Sequence, residues 1–315
     1  MTLTDRPVPV EQSTPAHDLW LSFGDEISQH RVLERVRHQP GRLTVWLTDL
    51  PMRFAPQQEA VLWEVALRAR TLVVPSRCAL ARVLASGVVH PGSVVVVPLP
   101  TRLEASPPSG HAQRGGAPLV VTPTSLYPWE RIDLVLDALA ALTRRSLDVR
   151  YAVVVDPSSH RSPRAPGTAL SSIDALARWE AWQQRAERLG LNDRVQWILD
   201  ADPLGVMATA QVVVLPWESD DLVASQALVD AMSLGVPVVA AAFPHAVELA
   251  PTGAVTLWRA DSRQALERSL QRVLTRPLLR TTMRHAARQA ARVHAPDAVR
   301  QRLTQLAIDV PRGHW

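Results

Sequence analysis

The chain has 315 residues, 47% of them hydrophobic and 20% charged, a composition that excludes a disordered protein and leaves room for two modest domains. No apolar stretch approaches the ~20 residues that a bilayer span needs, and a lone cysteine, Cys78, excludes an internal disulfide framework and suits the cytoplasm. The net charge is only +4, from 34 basic and 30 acidic residues, and every basic one is arginine, so the sequence pI near 10.3 reflects guanidinium chemistry and does not imply nucleic acid as a partner.

Residues 1–17 are Pro- and Thr-rich, carry no basic-then-apolar leader pattern and are expected to be disordered. Short apolar runs then recur at 19–21, 43–47, 71–74, 94–97, 119–121, 151–155, 195–199, 212–215, 236–239 and 255–258, with helical patterns between them. Runs this short and β-branched predict α/β layers on mostly parallel sheets. The helix that follows Trp129 sets Ile132, Val135, Leu136 and Leu139 on one face, the spacing of a helix packed on a sheet. The stretch 101–117, with Pro107, Pro108, Gly110, Gly115 and Gly116, is the best linker and separates a first domain over 18–100 from a second over 118–276. A Pro/Ser-rich stretch, 157–167, reads as an exposed loop of the second domain, and 277–315 as terminal helices.

Residues 216–249 are the most informative stretch. After the apolar run at 211–215 comes a polar loop, then a helix ending at Ser233 with Gly235 as its stop, then a second buried strand. In such strand-helix-strand units a ligand sits at the carboxyl ends of the strands, and a helix N-terminus there offers N–H groups to an anion such as a diphosphate. The segment is therefore a candidate nucleotide-sugar site.

Its wording resembles the donor-binding motif of retaining glycosyltransferases of the GT-B fold, the group that includes glycogen synthase. Asp230-Ala231-Met232 and the run from Gly235 through Pro237 to Ala240 match that motif. The resemblance implies a GT-B-like α/β fold, two Rossmann-type domains facing a cleft, with a C-terminal helix over 278–307 crossing back to the first domain. The first domain is reduced, because family members spend close to twice as many residues there. The implied reaction moves a sugar from a nucleotide diphosphate donor to an acceptor such as a cell-envelope glycan, a glycolipid or a small molecule. It proceeds with retention, without a metal and without any further cofactor.

Carried over position by position, the match is uneven. The family's pair of glutamates, eight positions apart, becomes Leu222 and Asp230, and Ala224-Ser225 stand where Phe-Gly is usual. Asp230 matches the carboxylate that accepts from the ribose hydroxyls, a suitable acceptor for a vicinal diol. Ser225 and Gln226 fall at the helix start, where N–H groups meet a diphosphate. Where the family holds the diphosphate with an arginine and a lysine, this chain has Ser125 and Glu130, and Arg131 is the nearest substitute cation. Glu218, Asp220 and Asp221 read as a solvated acidic loop, with Glu218 as the replacement for the missing sugar contact. His245 and Glu248 follow the last strand of the motif, where the family has a glutamate in Pro-Glu-x-Val. On the acceptor side Asp49 takes the place of a family histidine. These departures leave a second expectation open, a non-catalytic homologue that binds a partner or a sugar nucleotide.

Arg280, Arg284, Arg288 and Arg292 recur every four residues on a terminal helix. Like charges at that spacing oppose one another, and an anionic membrane would relieve them, giving a cytoplasmic protein with peripheral membrane contact.

Overall fold

The computed structural model describes residues 18–23, 26–48, 50–103, 116–155, 173–199, 201–259 and 262–308. The disordered N-terminus expected over 1–17 and the loop expected at 157–167 lie outside these residues. All ten apolar runs form strands, in two separate parallel sheets.

The first sheet contains β1 (Asp18–Ser22), β2 (Thr44–Thr48), β3 (Thr71–Val74) and β4 (Val94–Val96), alternating with α1 (Glu26–His38), α2 (Pro56–Arg68) and α3 (Arg77–Ala85). Its order, β1-β2-β3-β4, never reverses. Right-handed crossovers in a sheet wound in one direction place all its helices on the same face. The strands alternate accordingly. Val45, Leu47, Leu72, Val74 and Val94 meet Val32, Val36, Leu62, Val65, Ala79 and Val83 from the three helices. The other face, Trp46, Val73 and Val97, has no crossover helix of its own and is covered by Val299, Leu303 and Leu306. Those three residues belong to α11 (Pro296–Ile308), at the far end of the chain. A singly wound sheet has one bare face, and the C-terminal helix fills it.

The second sheet holds β5 (Leu119–Thr124), β6 (Arg150–Val155), β7 (Val195–Ile198), β8 (Val212–Leu215), β9 (Val238–Ala241) and β10 (Val255–Trp258). The order is β10-β9-β8-β5-β6-β7, the doubly wound Rossmann arrangement, with the reversal between β5 and β8. Its helices are α4 (Ile132–Arg144), α5 (Ile173–Arg188), α6 (Pro203–Ala208), α7 (Gln226–Ser233), α8 (Pro244–Leu249) and α9 (Arg263–Thr275). One core joins both faces, from Val120, Val153 and Val213 in the strands to Leu136, Trp182 and Leu270 in the helices. No described helix is long and apolar enough to cross a membrane.

Helix α10 (Pro277–Ala290) carries Arg280, Arg284 and Arg288 and leads into α11 through a single-turn helix, Ala291–His294, which carries Arg292. The row is not a free positive stripe. Arg280 Nη1 donates to the carbonyl of Val273 at 2.9 Å and to that of Leu274, closing the C-terminus of α9. Arg284 is half-buried, and burial, with Arg280 and Arg288 beside it, lowers its pKa. Arg288 lies across Gly235, and of the four arginines Arg288 and Arg292 are exposed. Gly235 ends α7 with φ +68, and a Cβ there would come 2.6 Å from Arg288 Nε.

Gly235→Ala forces a side chain into the left-handed region against Arg288. It should lower stability by about 1–2 kcal/mol in urea unfolding; an unchanged midpoint and slope would show that neither the backbone nor Arg288 constrains the end of α7.

Candidate functional site

The reversal of strand order places two loops together at the carboxyl ends of β5 and β8, 125–131 and 216–225. An open α/β sheet takes its ligand at such a point. Here backbone pairing joins the loops: Glu130 and Trp217 form an antiparallel bridge, Arg131 N donates to Pro216 O at 2.7 Å, and Glu218 N donates to Trp129 O at 2.9 Å.

Glu130 does not face a phosphate site. It is buried beneath its own loop, where its carboxylate accepts from Thr124 Oγ1 and from Ser125 N at 3.0 and 3.2 Å. The loop turns through Leu126, at φ +59, and stacks Tyr127 on Trp129 with ring centroids 4.4 Å apart. The carboxylate standing where a lysine was expected therefore shapes the loop, and Ser125 contributes its backbone N–H to that task.

Arg131 is at the switch point, as the cation reading requires, but it is already partnered. Nε and Nη2 bind Asp133 at 3.1 and 3.0 Å, and Nη1 binds Glu218 at 2.7 Å. These hydrogen bonds, Asp133 first, raise its pKa further. The guanidinium is 33% exposed and Glu218 46% exposed, so this is a half-solvated pair and its strength is modest.

Helix α7 rises from the second loop. Ser225 caps it, Oγ accepting from Leu228 N at 3.1 Å, while Ser225 N donates to His245 Nδ1 at 2.9 Å. The amides of Gln226 and Ala227, the next two, have no partner among the described residues and point outward as helix-start N–H groups do. The Gln226 side chain turns back to Pro100 O and to Asp230.

Asp230, expected at a ribose, is fully buried and saturated. It accepts from Thr101 Oγ1 at 3.1 Å, Arg102 N at 2.9 Å, Arg102 Nε at 2.6 Å and Gln226 Nε2 at 3.0 Å. Thr101 and Arg102 belong to the stretch read as a linker, and at this end it is fastened down. His294 holds the same segment from the other side, its Nδ1 donating to Leu99 O at 2.8 Å and its carbonyl accepting from Thr101 N at 2.8 Å. No feature of the sequence signalled Thr101, Arg102 or His294, because each acts on residues distant along the chain.

The acidic loop is exposed at Glu218 and Asp220, as expected, while Asp221 is drawn into the seam. Asp221 accepts from Met52 N at 2.5 Å and pairs with Arg82 at 3.5 Å, while Arg82 also donates to Asp220 O. Ser76 Oγ donates to Val223 O at 2.6 Å, and Val223 is buried in the core of the first half. Glu248 completes the seam, one oxygen accepting from Arg77 N at 3.0 Å and the other from Cys78 N at 2.8 Å, so it caps α3. Burial pushes the Cys78 thiol up to about 11, which removes it as a nucleophile. Asp49 lies outside the described residues. Among the described residues no group of three or more His, Cys, Asp or Glu side chains is placed to hold a metal ion.

The sequence matches the model of the family described as glycosyl transferases group 1 over residues 108–292. No curated protein matches it in sequence. Among solved structures, sucrose-phosphate synthase from Thermosynechococcus elongatus superposes with a TM-score of 0.72 at 19% identity, over 93% of this chain and 73% of that one. HepE of Anabaena in complex with UDP gives a TM-score of 0.74 at 18% identity, over 90% and 77%. A glycosyltransferase from Rickettsia africae gives 0.64 at 11% identity, over 90% and 81%. At these identities the likeness establishes the fold, GT-B.

Burial raises the Glu130 carboxyl to about 7 from 4.5, so the native state retains a proton that the unfolded chain releases. A raised native value gives stability that is complete below 4.5 and is lost as pH rises through 7. His245 acts in the opposite sense. Burial lowers it from 6.5 to about 4, so its contribution is present above 6.5 and is lost as pH falls through 4. Glu130→Gln removes the first effect alone. Its stability relative to wild type should therefore improve by roughly 1–3 kcal/mol between about pH 5 and pH 8; a constant difference over that range would mean that Glu130 is ionised throughout.

Proposed function

The chain belongs to the group 1 glycosyl transferases, and we propose that it transfers a hexosyl unit from a nucleotide diphosphate sugar to an acceptor, with retention and without a metal. The observation that carries this reading is the start of α7 at the switch point, where the Gln226 and Ala227 amides are unpartnered and the helix dipole favours an anion. The structures of HepE with UDP and with UDP-glucose supply the donor class by analogy.

When the glycosidic bond to the donor opens, negative charge gathers on the departing diphosphate. Two amides and the dipole meet it from α7, and Arg131 meets it from the loop across the crevice. Arg131 has to exchange Glu218 for phosphate. That exchange is inexpensive because both partners are substantially exposed, and a bidentate guanidinium–phosphate contact is the stronger of the two. Asp133 stays bound through Nε and Nη2 and keeps the guanidinium oriented. The lone cysteine suits a cytoplasmic setting. Contact with an anionic membrane would fall to Arg288 and Arg292 alone, since Arg280 and Arg284 are turned inward.

A second reading, a homologue that binds without turnover, draws on one specific observation. The carboxylate expected to grip the ribose, Asp230, is fully buried and already accepts four hydrogen bonds. Calorimetric titration with UDP, GDP and their glucose conjugates separates the two. The transferase reading expects one base to bind, Arg131→Gln to weaken it about tenfold, and sugar to be released or transferred on incubation. Binding with no sugar chemistry supports the second reading; binding of no nucleotide overturns both.

A further inference from the structure

At the seam between the halves lies a pocket of about 690 Å³, walled by the ends of β3 and β4, by α8 and by α11. That is within the size range of small-molecule sites. It is distinct from the amides of α7. Two of its lining residues are buried histidines whose tautomers are fixed by the bonds that Nδ1 makes. His245 Nδ1 accepts from Ser225 N, so its proton sits on Nε2, and this N–H donor has no partner among the described residues. His294 Nδ1 donates to Leu99 O, so its Nε2 is a bare acceptor. Burial lowers the pKa of both rings, and each stays neutral at pH 7.

A fixed donor beside a fixed acceptor is the complement of a hydroxyl group, which both accepts and donates. Gln301 and Gln305, one turn apart on α11, add amides that hydrogen-bond in either direction. The charged lining is uneven. Arg77 and Arg302 reach the pocket without a carboxylate partner among the described residues. The one carboxylate, Glu248, has both oxygens on the α3 amides. Two exposed guanidiniums lining a hydroxyl-reading pocket suit a dianion on a polyol.

We propose that this pocket binds a hydroxylated phosphate monoester, a sugar phosphate or polyol phosphate, with the phosphate on Arg77 and Arg302 and hydroxyls on His245 and His294. The ligand is either the sugar-accepting substrate or an effector. Binding is measured without nucleotide, so this inference does not stand or fall with the transferase reading.

Calorimetry on the full chain uses glucose 6-phosphate as probe, with glucose and inorganic phosphate as comparators. Glucose 6-phosphate should bind at least tenfold more tightly than either, and Arg302→Gln and Arg77→Gln should each weaken it at least tenfold. Both arginines are on the surface, so these variants should fold. His294→Asn, which keeps a donor for Leu99 and removes the acceptor at the Nε2 position, should also weaken it, and the 15N resonance of His245 Nε2 should shift on binding. Adding a UDP-sugar then separates the sources: glycosylated sugar phosphate identifies a substrate, unchanged sugar phosphate an effector. Equal affinity for inorganic phosphate and glucose 6-phosphate would overturn the hydroxyl reading. Absence of binding, or binding untouched in the Arg77→Gln/Arg302→Gln double variant, would overturn the site.

Discussion

A fully buried carboxylate must be met by donors or it destabilises the fold, and here Asp230 is met by the segment that joins the two halves of the molecule. Thr101 and Arg102 supply three of its hydrogen bonds, and Gln226 the fourth while also binding Pro100 O. His294 secures Leu99 and Thr101 from the opposite side. The chain thus crosses between its sheets along a fixed track. α11, which follows His294 directly, is thereby delivered to the bare face of the first sheet, where Val299 packs on Trp46 and Val73. Remove the charge on Asp230 and the crossing segment, the terminal helix and the seam lose a common anchor.

The same economy of charge governs the switch point. A diphosphate site needs positive potential, and this chain has no lysine to supply it. It places Glu130 under the loop, where burial favours the protonated form, and leaves the cleft-side charge to Arg131, held by Asp133 and paired with an exchangeable Glu218. In the acidic loop Asp221 turns its carboxylate to Arg82 and the Met52 amide, while Asp220, exposed, meets Arg82 through its backbone carbonyl. Two of the loop's three carboxylates are thus paired with arginine, Glu218 with Arg131 and Asp221 with Arg82. Open donors among the described residues include the amides of α7 and, at the seam, His245 Nε2 and the arginines of the pocket there.

Much of the fold was legible in the chain. Ten short apolar runs gave ten strands, and the end of α7 fell beside Gly235, where a positive φ requires that residue. Residue identity also marked the segment that matters, since Ser225, Asp230, His245 and Glu248 are all on or beside the seam. Their roles were not legible, for a physical reason. Asp230 binds residues 128 and 129 positions away, and Glu248 binds residues 170 and 171 positions away. A one-dimensional pattern carries the period of a helix or strand, not the partner of a side chain. The arginine row shows the same limit: spacing put four cations on one face, and packing turned two of them inward.

The central claim is that Asp230 holds the crossing segment and does not serve as a nucleotide contact, and Asp230→Asn tests it with two readouts on one protein. Urea unfolding should show a loss of about 3 kcal/mol, while the affinity of the folded variant for UDP stays within about threefold of wild type. Unchanged stability with UDP binding abolished would contradict the account and return Asp230 to the ribose.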